Sequence, residues 1–143
     1  MAAELGYLES YISLASHYQN IKDYDNMILW LNEAINLGSV DGMINIGCHY
    51  RDTKEYDKME KYFLMAYDKG DYDGFYQLII EAETTKNVSK LKEYLIIGVN
   101  RNDQVSINKM NRLLELQFDM EFASKCENKL NILNKSKLEK KSF

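Results

Sequence analysis

The sequence predicts an all-α solenoid, a stack of antiparallel helical hairpins. Three observations predict it. A 32-residue self-similarity runs through nearly the whole chain: Tyr18, Tyr50 and Ala82 are spaced by 32, and so are Gly6, Gly38, Gly70 and Asn102. Apolar residues recur at i, i+3, i+4 and i+7, the period of a helix with one buried face, and nothing alternates with period two. Glycine and short polar residues punctuate those stripes at the same place in each copy. A period of this size marks stacked supersecondary units, each too small to bury its apolar face alone.

Taken in order, the elements are pairs of helices, A and B. Residues 2–6 align with the last turn of a helix B, so the chain begins with a short leading helix or part-way through a unit. The first helix A carries Tyr11, Leu14, Ala15 and Tyr18, and the first helix B carries Met27, Trp30, Leu31 and Ala34. Gly38 then ends helix B, where glycine takes the left-handed conformation readily. Ser39 follows as N-cap of the next helix A, with Asp41 in its first turn favourable to the helix dipole. The second unit repeats this with Met43, Ile46, Gly47 and Tyr50, then Met59, Tyr62, Phe63 and Ala66, ending at Gly70 and Asp71. A third follows with Phe75, Leu78, Ile79 and Ala82, then Leu91, Tyr94, Leu95 and Gly98, ending at Asn102 and Asp103. The last helix A holds Ile107, Met110, Asn111 and Leu114. Asp23, Glu55, Asn87 and Asp119 stand where each helix B starts. Residues 118–134 keep a helical pattern through Met120, Ala123, Leu130 and Leu133 but gain polar residues, as a capping helix does. The expected organisation is one repeat domain over 1–134, with units about 7–38, 39–70 and 71–102 and a capping unit 103–134. A basic tail, 135–143, is expected to fray.

Composition narrows the function classes. A single domain of 143 residues, 45% apolar and 28% charged, is an ordinary globular chain. No apolar run approaches the ~20 residues that span a bilayer, and the first residues lack the pattern of a secretory signal. Cys48 and Cys126 sit at unrelated repeat positions and read as free thiols, so a reducing, cytoplasmic location is expected. Net charge is −4, unevenly spread. Residues 125–143 hold six lysines against two glutamates, and the rest of the chain carries −8. An acidic body argues against nucleic-acid binding by the repeats, because phosphate contacts supply most of that affinity.

The motifs Ala34-x3-Gly38, Ile46-Gly47-x2-Tyr50 and Tyr62-x3-Ala66 resemble Sel1-like repeats, a branch of the tetratricopeptide superfamily. The resemblance covers residues 2 to about 117 and is most specific in the two central units. Two departures stand out. The repeat is shorter than the family's, with only Arg51-Asp52-Thr53-Lys54-Glu55 where a glycine-rich loop is usual, and the chain has no proline. The resemblance implies a right-handed superhelix whose A helices line a concave surface. Mapped onto this chain, the ligand row is Ile12 and Ser16, then Ile44, Cys48 and Arg51, then Tyr76 and Ile80, then Asn108 and Arg112. Such a row would be apolar and aromatic in the middle, with two arginines able to engage carboxylates. It would suit an amphipathic helix or an extended peptide.

The remaining candidates carry less. His17 and His49 are repeat-related, but a metal needs three or four converging donors and the next equivalents are Glu81 and Leu113. No nucleophile elbow, zinc-protease helix, phosphate loop or C-x-x-C pair occurs. The tyrosines fall mostly on core stripes, so packing accounts for them better than base stacking. The expectation is a protein-binding adaptor or scaffold, not an enzyme, with no cofactor and no metal. Two alternatives stay open: nucleic-acid association through the lysine tail, and self-association through an N-terminal end exposing Leu5, Leu8 and Ile12.

Overall fold

The computed structural model describes residues 2–141, without the side chains at 2, 3, 118–120, 123 and 130. Seven helices account for the described chain: α1 (Ala2–Asn20), α2 (Tyr24–Asn36), α3 (Val40–Asp52), α4 (Tyr56–Asp68), α5 (Asp73–Thr84), α6 (Val88–Asn100) and α7 (Gln104–Lys141). No strand occurs among the described residues. The fold is all-α, as the periodicity predicts, and α2, α4 and α6 begin 32 residues apart.

The contacts divide the chain into two bodies, residues 1–86 and 87–143. The division falls inside the third unit, which the sequence reads as one hairpin within a single domain over 1–134. In the first body α1 pairs with α2, and α3 pairs with α4. These hairpins stack through α2 on α3 and α4 on α5. In the second body α6 pairs with α7.

The core of the first body follows the predicted stripes. Met27, Leu31, Ala34, Met43, Ile46, Met59, Phe63, Ala66, Phe75, Leu78 and Ile79 are all buried. Two glycines set the closeness of packing. A methyl carbon on Gly47 would lie 2.5 Å from Phe63 Cδ1, and one on Gly74 would lie 2.6 Å from that same atom. The Phe63 ring therefore occupies a slot that exists because α3 and α5 each lack a side chain there.

The turns repeat with the helices. Each B-to-A turn places Gly38, Gly70 or Asn102 in the left-handed region, φ 87°, 91° and 58°. Around Gly38, the Ser39 amide donates to Ala34 O and the Gly38 amide to Ile35 O, the two-bond closure of a helix C-terminus. The A-to-B turns place a lysine there instead: Lys22, Lys54 and Lys86 have φ 60°, 62° and 55°, and the first two make the same two-bond closure. These three lysines are themselves spaced by 32.

The caps follow side-chain length. Ser39 Oγ accepts from the Gly42 amide, Asp23 from Asn26, and Asn87 from Lys90, as expected. Asp103 accepts from both the Ser106 amide and its hydroxyl. Glu55, one methylene longer than its equivalents, makes no cap bond and accepts from Lys58 Nζ instead. Asp71 is not the cap of α5: Tyr72 takes that position, and Asp71 accepts from the Asp73 amide.

Both ends depart from the predicted units. Gly6 was expected at a turn but lies inside α1, which runs unbroken from Ala2. The expected capping hairpin and frayed tail are replaced by one 38-residue helix, α7, continuous to Lys141. At about 1.5 Å per residue it is some 57 Å long. The reason lies at position 118, the equivalent of Lys22, Lys54 and Lys86, where the sequence has Phe. A bulky ring is poorly suited to the left-handed turn, so the helix continues. The expected apolar positions 120, 123 and 130 lie outside the described side chains.

Candidate functional site

The expected ligand row divides between the bodies, with seven of its residues in the first. Ile12 and Ser16 lie on α1, half-buried and exposed. Ile44, Cys48 and Arg51 lie on α3, all half-buried. Tyr76, half-buried, and Ile80, 51% exposed, lie on α5.

The structure brings α3 and α5 together at one point of this row. Ile44 Cδ1 lies 3.1 Å from where a Gly74 side chain would begin, so the absent side chain admits the isoleucine. Two residues on, the Tyr76 ring stacks on Tyr72 at 6.2 Å, with an interplanar angle of 21°. Ile80 follows one turn later and stays open to solvent. The Arg51 guanidinium lies 3.5 Å from the adjacent Asp52 carboxylate. That contact is between partly exposed groups, so it is weak and exchangeable. Asn108 and Arg112 belong to the second body, both exposed on α7, and Asn108 accepts from the Gln104 side chain at 2.9 Å.

Sequence reasoning missed a second cluster that runs sideways across units. The Tyr24 ring lies 4.9 Å from His49, His49 5.5 Å from Tyr50, and Tyr50 5.8 Å from Tyr62. The ammonium of Lys58 sits 5.0 Å above the Tyr50 ring, and that of Lys61 5.5 Å above Tyr62. Tyr50 and Tyr62 are visible in the sequence as stripe residues. Their lateral continuation to Tyr24 is not, because it crosses between helices that no spacing within a unit connects.

The charges around this cluster follow from its geometry. Burial pushes the Tyr50 hydroxyl above its ordinary pKa, with Lys58 opposing. The Glu55 carboxyl is held below its usual value, first by the hydrogen bond from Lys58 at 2.5 Å, then by that from Thr53 at 3.1 Å. Lys58 is raised by the same bond. His49 is held between tyrosine rings, and His17 lies against Tyr18 at 5.4 Å. Among the described residues no three or more His, Cys, Asp or Glu side chains converge as metal ligands. No helix among them is long and apolar enough to cross a membrane.

Comparison with family models, with curated proteins and with solved structures finds no match.

Proposed function

We propose that this chain is a protein-interaction module, an adaptor or scaffold in a reducing compartment. It holds a helix or extended peptide of a partner protein on the α3–α5 row. The observation that carries this is the apolar strip of Ile44, Tyr76 and Ile80, which runs from two half-buried side chains to one that is open to solvent. A strip of aromatic and branched side chains bordered by an arginine suits the apolar face of an amphipathic segment. The Arg51 ion pair with the adjacent Asp52 is partly exposed and weak, so an acidic group on the partner would compete for it. Stacked repeats with no catalytic constellation in the sequence support a binding role over an enzymatic one.

The test is affinity capture with the intact chain beside two groove variants, Ile80→Glu and Ile44→Glu/Tyr76→Glu, each checked for helicity. A partner held by the intact chain and lost by both variants is the expected result. A partner retained by folded variants would move binding off this row and overturn the reading.

A further inference from the structure

The second body contains a helix A whose helix B is missing from beside it. Over 104–117, α7 continues the repeat as Ile107, Met110, Asn111 and Leu114. In the second unit the equivalent residues, Met43, Ile46, Gly47 and Tyr50, are all buried, with Tyr50 stacked on Tyr62 of α4. On α7, Ile107 and Met110 are only half-buried, Asn111 is exposed and Leu114 is 57% exposed. The α6 side covers Ser106, fully buried beneath Gly98, and protection ends within two turns of it.

The segment with the register to cover this face is present in the chain. Positions 123, 126, 127 and 130 lie two 32-residue periods after the α4 stripe Met59, Tyr62, Phe63 and Ala66, and position 119 carries an aspartate, like the one that caps α2. Yet this segment runs on within α7 as one continuous helix, so it does not fold back against 104–117 of its own chain. The turn that would fold it back is the one that lost its left-handed lysine at position 118.

We propose that a second copy of this chain supplies the missing helix. Two α7 helices pair antiparallel, and residues 119–134 of each take the helix-B place against 104–117 of the other. Exchange of an identical element about a two-fold axis gives a closed dimer without a new interface having to arise. The hairpin register in α3 and α4 sets the contacts. Tyr50 against Tyr62 becomes Leu114 of one copy against Cys126 of the other. Gly47 against Phe63 becomes Asn111 against Glu127, so an amide faces a carboxylate. One polar pair in an otherwise apolar seam is a device that specifies register at a cost in stability.

The test uses the full chain carrying Cys48→Ser and Leu114→Cys, so that the thiol at position 114 and the native Cys126 are the sole pair. Mild oxidation and peptide mapping should give a covalent dimer closed by two bonds between positions 114 and 126. The same bond within one chain would show that α7 folds back on itself and overturns the proposal. So would the absence of any 114–126 bond while helicity is retained. Sedimentation of the unaltered chain provides a check free of substitutions: a dimer at micromolar concentration is expected, and a monomer throughout would refute it. In Phe118→Gly, which restores a residue suited to the turn, dimer dissociation should strengthen at least tenfold.

Discussion

Gly47 and Phe63 are matched across the α3–α4 hairpin: the ring of one fills the space left by the missing side chain of the other. A methyl carbon on Gly47 would stand 2.5 Å from Phe63 Cδ1. Gly47→Ala should therefore destabilise the first body by about 1–3 kcal/mol, the usual cost of overpacking a filled core. Urea melts followed by circular dichroism measure this. Phe63→Leu in the same chain should recover part of the loss, because a smaller side chain vacates the contested volume. Additive effects would mean that the two residues are not coupled.

The turn lysines are a correctable strain. Lys54 sits at φ 62°, a conformation that costs a residue with a Cβ roughly 1–2 kcal/mol. Glycine removes that cost but gives back about 0.5–1 kcal/mol in unfolded-chain entropy. Lys54→Gly should then raise stability by about 0.5–1 kcal/mol, seen as a higher thermal midpoint. Gly38→Ala, at φ 87°, should lower it.

Asp103 and Asp71 hold equivalent repeat positions but different bonds. Asp103, buried, accepts from the Ser106 amide at 3.0 Å and from its hydroxyl. Asp71 accepts one bond, from Asp73 at 3.0 Å. Loss of a helix cap costs about 0.5–2 kcal/mol. Asp103→Ala should fall within that range and Asp71→Ala, which removes no cap bond of α5, should cost less; a reversed order in denaturant melts would contradict this account.

The Glu55–Lys58 pair sets the sign of a pH effect. The folded carboxyl is depressed, so its small stabilisation is present above the unfolded value of about 4.3 and fades as pH falls through the lower folded value. The folded ammonium is raised, so its contribution is present below about 10.4 and fades as pH climbs through the higher folded value. NMR titration of the Glu55 carboxyl should show a pKa below the ordinary range. Lys58→Met should move it up, and an unmoved titration would place the cause elsewhere.

Legibility of this chain varied with the kind of contact. The helices, the left-handed glycines and the Ser39, Asp23 and Asn87 caps follow from local rules, and the structure has them where the spacing puts them. Tyr72 rather than Asp71 at the start of α5 is a one-residue shift of the sort that local rules do not resolve. Ile44 and Tyr76 were legible as neighbours of the core stripe. The burial of Ile44 against Gly74 was not, because it depends on how closely α3 approaches α5. Lys22, Lys54 and Lys86 recur in plain sight, yet a lysine is not a turn residue by composition, and only the backbone angles reveal its role.

The sequence by itself determined the helical class, the 32-residue period, the phase of the buried faces and the glycine turns at Gly38 and Gly70, since these arise from residues within a few positions of one another. The tertiary structure decided what becomes of the ends and where the chain divides. At Gly6 the repeat would permit a turn and at position 118 a phenylalanine disfavours one; a turn persists only where its residue suits the left-handed conformation and two helices gain from packing across it. Where either condition fails the backbone hydrogen bonds of a continuous helix win, and α1 and α7 run on.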